Sequence, residues 1–219
     1  MAVPEPLEPG TLASRYRQRL PLLEELRTTL EMSARAALAG VRHIDRISFR
    51  TKSLDSFIGK CFPEGKPPRY ADPLRDVEDQ VAGRIIVMFE HDLAIVQDEL
   101  GSYFNLVEAE RKRPERASEF GYESDHLVIT IAEHHKPADW DALDDMPVTF
   151  ELQIRTLFMH AWAEPQHDLG YKPGRPLSHD DQRMLAWGAS SAWGADRNLE
   201  DAWRRLGDGL PCSPQPSGR

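Results

Sequence analysis

The pattern of apolar and polar positions changes period at one place in the chain. Val148, Phe150, Leu152 and Ile154 alternate with Thr149, Glu151, Gln153 and Arg155, which predicts a strand with one apolar and one polar face. From Thr156, a helix-capping residue, the spacing becomes helical: His160, Glu164, His167 and Tyr171 fall on one stripe, and Pro165 is expected to bend it. The polar strand face gathers a carboxylate, an amide and a guanidinium. Buried without partners these groups cost stability, whereas open to a cleft they suit a polyanion and its metal. An edge strand with a solvated polar side is the competing reading.

The same reading orders the rest of the chain. Residues 1–10 carry three prolines and form a loose lead; Thr11 caps a helical segment over 11–40, with Leu12, Leu20, Leu22, Leu23, Leu26 and Leu30 on its apolar side and Pro21 kinking or splitting it. A strand over 46–51 leads to Ser53, the N-cap of a helix that turns Leu54, Phe57, Ile58 and Cys61 inward. Residues 63–73 are a proline-rich loop. The apolar run 81–89 predicts a buried central strand, with a bend or bulge at Gly83 to bring Asp79 and Arg84 to one face. A surface helix over 91–103, a short strand over 104–107 and a strand over 127–132 follow, and 134–147 reads as an acidic, poorly ordered loop. A last helix spans 176–207, with Leu185, Trp187, Trp193, Leu199 and Trp203 apolar, before a low-complexity tail over 208–219. Residues 41–175 form the core between these terminal segments.

Composition narrows the function classes. With 219 residues, 40% hydrophobic and 29% charged, the chain can bury a core. Lys and Arg number 27 against 36 Asp and Glu, a net charge of −9, so no overall field draws it to nucleic acid or an anionic membrane. A polyanion must meet a local basic pocket. Cys61 and Cys212 show no metal or redox spacing, which favours a reduced, cytoplasmic setting, and no run is long enough to span a membrane.

The spacing Arg50-x-Lys52-Ser53-x-x-Ser56-x-x-x-Lys60 aims cations and hydroxyls at one helix N-terminus, an arrangement that accepts phosphate. A plain solvated surface is its alternative. Residues 110–116 form a charge-dense loop with Arg111, Lys112, Arg113 and Arg116. In an extended chain Tyr122, Ser124 and His126 face the same way, as a base-stacking pocket or as a half-buried strand end. Glu164-x-x-His167 lacks the second copy that a carboxylate-bridged helical metal site needs, and the His-Asp pairs at 91, 167 and 180 do not on their own make a metal phosphohydrolase site.

Taken together, the Arg50 to Lys60 spacing, Asp79 with Arg84, Gly121-Tyr122-x-Ser124-x-His126, and Glu151-x-Gln153-Ile154-Arg155-Thr156 followed by Trp162-Ala163-Glu164-x-x-His167 and Tyr171-Lys172 resemble the RelA/SpoT-type alarmone synthetase domain. The resemblance covers about residues 40–175. It implies an α/β fold, a nucleotidyltransferase-like mixed sheet flanked by helices, and transfer of the pyrophosphate of ATP to a nucleotide 3′-hydroxyl. By position it implies that Arg50 and Arg84 sandwich adenine, that Lys52, Ser56 and Lys60 hold the ATP phosphates, and that Asp79 and Glu151 bind Mg2+. Tyr122 matches the tyrosine stacked on the acceptor guanine and His126 the histidine near its phosphates, with Ser124, Arg116, Gln153 and Arg155 completing the acceptor side. Glu151 also takes the proton of the attacking hydroxyl on this reading.

Phe120 stands where many members have Asn, and Asp125 occupies a position usually apolar; both are expected on the acceptor side. The leading expectation is synthesis of guanosine tetra- or pentaphosphate from ATP and GDP or GTP. A toxin-type relative that modifies the tRNA 3′ end or adenine nucleotides, with an antitoxin as partner, is the second. A catalytically dead nucleotide-binding module is the third, and two carboxylates among five cations argue against it. Small members also resemble one another in assembling through terminal helices; Trp187, Trp193 and Trp203 fit that use, or packing on the chain's own core.

Overall fold

The computed structural model of the chain describes residues 8–65, 67–116, 118–166 and 176–206. His167, Tyr171, Lys172 and the tail 208–219 lie outside the described residues. The elements in chain order are α1 (Pro9–Ala37), β1 (Ile44–Thr51), α2 (Leu54–Cys61), α3 (Pro73–Asp76), β2 (Val81–Val87), α4 (Glu90–Tyr103), β3 (Leu106–Lys112), β4 (Ser124–Thr130), β5 (Thr149–Thr156), α5 (Leu157–Gln166) and α6 (His179–Leu206). The strands form one mixed sheet in the order β1-β2-β5-β4-β3, in which only β2 and β5 run parallel. No described helix is long and apolar enough to cross a membrane.

The apolar face of the sheet carries Ile47, Phe49, Ile85, Leu127, Phe150, Leu152 and Ile154, and α1 and α4 bury it. In α1 the buried positions are Leu12, Tyr16, Arg19, Leu23, Leu26, Leu30 and Ala34, a three-four spacing that draws one seam along the helix. The helix starts at Pro9 rather than at a Thr11 cap, and it runs through Pro21 as one element. Pro21 lies on the exposed side, where water can satisfy the carbonyl that loses its partner, so the ring costs a hydrogen bond without dividing the helix. Buried Arg19 donates to the carbonyls of Asp144 and Asp145 at 3.3 and 2.9 Å, tying the helix to the 134–147 segment. That segment is therefore packed: His135, Trp140 and Met146 are buried in it.

Several boundaries differ from those the pattern predicts. β2 pairs regularly through Gly83, and the break falls before Val81, where Glu78–Gln80 form a 3-10 turn. Glycine is needed at 83 because the Phe49 ring lies across it; a Cβ there would stand 2.6 Å from Phe49 Cζ. β3 extends through Lys112, so half of the predicted charged loop is an edge strand whose exposure hides any alternation. Val148 is exposed and precedes β5. In α6 the buried positions are Ala189, Ala192, Asp196 and Glu200, while Trp187 is 65% exposed. The small residues let α6 approach α5 closely, while Trp193 packs on Phe120 and Trp203 on Phe89 and His91.

Candidate active site

Residues paired across neighbouring strands point to the same side of a sheet, so the register itself assembles a polar face. One row runs Arg50, Ala82, Glu151, Val128, and the next runs Ser48, Arg84, Gln153, His126. Arg50, Arg84, Glu151, Gln153 and His126 therefore share the face opposite the core.

One end of this face is basic. Ser53 caps α2, its Oγ accepting from Ser56 N at 3.3 Å and donating to Ser56 Oγ at 2.8 Å. Tyr16 stacks on Phe57 with ring centroids 3.9 Å apart and donates to Lys52 O at 2.8 Å, fixing the start of that helix on α1. Lys52 Nζ and Lys60 Nζ both reach Asp79, at 2.6 and 2.8 Å. Asp79 comes from the turn before β2, which buried Gln80 holds by donating to the carbonyls of Leu74 and Val77. Burial works against the charge of Asp79, but the two lysines outweigh it and hold its pKa below the ordinary carboxylate value. The same pairing, against burial, raises that of Lys60.

The other end is a closed ring of hydrogen bonds. His126 Nδ1 lies 2.6 Å from Glu151 Oε1, and His126 Nε2 lies 3.0 Å from the Tyr122 hydroxyl. Arg155 Nη2 donates to that hydroxyl at 2.5 Å and to Gln153 Oε1 at 2.6 Å, and Gln153 Nε2 donates back to Glu151 at 3.0 Å. The Arg155 guanidinium stands 4.6 Å over the Tyr122 ring. Burial opposes the Glu151 charge, yet the hydrogen bonds from His126 and Gln153 and the fields of His126 and Lys60 bring its pKa down to about 2. Burial also lowers the pKa of Arg155. From α5, Glu164 bonds Arg84 and stands 3.9 Å from Arg155.

Of the residues singled out in the sequence, Lys52, Lys60, Asp79, Arg84, Tyr122, His126, Glu151, Gln153 and Arg155 are brought together on this face, with Arg50 on its exposed edge and Ser56 at the α2 start. Ser124 is buried and donates to Ile154 O at 3.2 Å, a backbone use rather than an open hydroxyl. Arg116 stands apart, 79% exposed at its side chain and paired with Glu119. The two unusual residues also lie elsewhere. Asp125 pairs in register with Ile154, on the core side of the sheet, 3.7 Å from Arg111; Phe120 packs on Trp193 of α6, centroids 5.6 Å apart. Thr156 donates to buried Asp196 at 2.6 Å, a tie between β5 and α6 that no sequence spacing announces.

A mixed sheet that lays lysines, two carboxylates and an aromatic-histidine pair along one open face is the build of an α/β protein that handles phosphorylated nucleotides. The chain belongs to the RelA_SpoT family: the region found in RelA / SpoT proteins matches residues 49–175. It is 32% identical over 134 residues to the GTP pyrophosphokinase YjbM of Bacillus subtilis (strain 168), covering 59% of this chain and 57% of that protein. The aligned part thus spans little more than half the length of that relative. The fold is similar to the crystal structure of the small alarmone synthetase 1 from Bacillus subtilis, with a TM-score of 0.65 at 24% identity, covering 90% of this chain and 97% of the other. The same synthetase bound to its product pppGpp matches with a TM-score of 0.64 at 24% identity, over 89% and 96% of the chains.

Proposed function

We propose that this protein transfers the β,γ-pyrophosphate of ATP to the 3′-hydroxyl of GDP or GTP, in the cytoplasm, making (p)ppGpp. The observation that carries the reading is the Glu151–His126–Tyr122–Arg155 ring standing on the same face as the Asp79–Lys52–Lys60 cluster. A pyrophosphokinase relative and a likeness to a synthetase bound to pppGpp support it.

The roles follow from the chemistry of each group. Lys52, Lys60 and Ser56 meet the β- and γ-phosphates at the α2 start, and Arg50 and Arg84 flank the adenine. Tyr122 stacks the acceptor base while His126, Gln153 and Arg155 position the acceptor. Asp79 and Glu151 are hard oxygen donors beside a lysine-rich face, so the residues fit a magnesium ion, which when bound neutralises phosphate charge. For Asp79 to bind metal, substrate phosphates must draw Lys52 and Lys60 away from it. As transfer proceeds, the bond from the 3′-oxygen to Pβ forms, the bond between Pβ and the oxygen bridging to Pα breaks, and AMP leaves. The hydroxyl proton goes to Glu151; a carboxylate held near pKa 2 is a weak base, which suffices where the transition state is loose and the proton departs late.

Asp125 lies on the core side of the sheet and Phe120 packs on Trp193 of α6, so neither side chain joins the acceptor ring, which supports a guanine nucleotide over tRNA or adenine nucleotides as acceptor. The test is to offer GDP, GTP, adenine nucleotides and tRNA in parallel with ATP and magnesium and to separate the products by chromatography. A 3′-pyrophosphorylated guanine nucleotide is expected; label on tRNA or adenine nucleotides alone overturns the acceptor assignment.

A further inference from the structure

His43, His91 and Asp92 converge from two parts of the chain at the end of the sheet and use none of the residues on the nucleotide face. His43 sits in the turn before β1, with its carbonyl accepting from Met88 N at 2.9 Å and its backbone in the left-handed region at φ 62°. His91 and Asp92 open α4. Asp92 is 2% exposed, and its Oδ1 stands 3.3 Å from His43 Nδ1 and 3.4 Å from His91 Nε2, with all three ligand atoms within 4.8 Å of one another.

We infer that these three side chains form a binding site for a zinc-type transition-metal ion. The His43–Asp92 contact is a long hydrogen bond, and both N···O separations exceed the ~2.9 Å at which N–H···O bonds are commonest. They equal the separation of about 3.3 Å expected between adjacent ligand atoms around a tetrahedral zinc with bonds of ~2.0–2.1 Å. The second observation concerns the far side of one ligand. His91 Nδ1 lies 2.8 Å from Glu200 Oε2, and Glu200 is 3% exposed, so a buried carboxylate orients the ring and leaves Nε2 as the ligating nitrogen. That carboxylate-histidine-metal relay recurs in metal sites and raises the basicity of the ligating histidine. Two imidazoles and one carboxylate select a zinc-type ion over magnesium.

The surroundings suit this use. The rings of Phe89 and Trp203 stand 5.0 and 4.8 Å from that of His43 and form an apolar wall. On the open side a cleft of about 460 Å³, lined by Gly40, Val41 and Glu99 among others, admits water to the fourth position. The positive end of α4 opposes a cation here, and the carboxylates of Asp92 and Glu200 offset it. Because Glu200 belongs to α6, the ion joins the β1 turn, α4 and the C-terminal helix.

The site is tested by titrating the metal-stripped full chain with ZnCl2 by calorimetry and with CoCl2 by visible absorption. One equivalent is expected to bind, with the absorption of four- or five-coordinate cobalt and a raised thermal midpoint. His43→Gln and Asp92→Asn should abolish binding. Glu200→Gln, which keeps all three ligands and nearly the same shape, should weaken it about 10- to 100-fold. A Glu151→Gln chain should still bind its one equivalent, which separates this ion from any at the nucleotide face. Absence of binding by the parent chain, binding unchanged in folded His43→Gln, or binding lost in Glu151→Gln overturns the site.

Discussion

His126 Nδ1 and Glu151 Oε1 stand 2.6 Å apart, across the β4–β5 boundary, on the polar face of the sheet. The pair makes Glu151 a strongly acidic group, with a pKa near 2 against the ordinary 4.5. A carboxylate whose folded pKa is depressed stabilises the fold above its unfolded value and loses that contribution as pH falls through the folded one. Glu151→Gln is therefore expected to fold but to cost on the order of 1–3 kcal/mol at pH 7. The difference from the parent should shrink as pH falls from 4.5 towards 2, measured by denaturant unfolding. Pyrophosphate transfer should drop by orders of magnitude, about 1.4 kcal/mol of transition-state stabilisation for each factor of ten. Read from the sequence alone, without its histidine partner, the same change is expected to leave stability almost untouched.

Asp196 gives the opposite sign. Burial raises its pKa to about 6 despite the hydrogen bond from Thr156, and Oδ1 is buried without a hydrogen-bond partner. A raised folded pKa means stability that is full below the unfolded value of 3.8 and is lost as pH rises through about 6. Asp196→Asn keeps an acceptor for Thr156 and removes the buried charge. It should be more stable than the parent at pH 8 by roughly 1–3 kcal/mol, read by denaturant unfolding, and the gain should vanish near pH 4.

Arg155 holds the Tyr122 hydroxyl and the Gln153 amide with one nitrogen while its plane stacks on the ring. A lysine keeps the charge but has neither the fork nor the plane. Arg155→Lys should raise KM for the guanine nucleotide about tenfold and leave KM for ATP near the parent value, read from initial rates with each substrate varied in turn.

Gly83 carries no functional group, yet it lies beneath Phe49 in the interior strand β2, between the rows that bear the site. Gly83→Ala forces a Cβ to 2.6 Å from the ring, so the Phe49 side chain must shift within the core. The expected loss is about 1–3 kcal/mol of stability by thermal unfolding. Gly10→Ala, with open space at its Cβ position, is the matched control.

Much of this was legible before the structure. The alternation over 149–155 places Glu151, Gln153 and Arg155 on one face, and the Ser53 cap with Lys52 and Lys60 around it follows from local spacing. What local pattern does not carry is strand order. The His126–Glu151 pair depends on β4 lying beside β5, a non-local fact, whereas the alternation that turns His126 to the polar face already turns its neighbour Asp125 to the core side. The bulge expected at Gly83 is not needed, because Asp79 sits in the 3-10 turn before β2, where the alternation of an extended strand does not apply. The apolar tryptophans of α6 drew attention from Asp196 and Glu200, which its inward face buries instead. His43 offered no signal beside His91 and Asp92, since 48 residues separate it from the nearer of them.

The central claim is pyrophosphoryl transfer, and the position of an isotopic label decides it most directly. ATP labelled at the β-phosphate is incubated with GDP, magnesium and the full chain, and the labelled species are counted against AMP. Label is expected in the guanine nucleotide product, with one AMP released for each product formed and both reduced to background in Glu151→Gln. Label that stays in ADP, or a folded parent chain that releases no AMP, contradicts the claim.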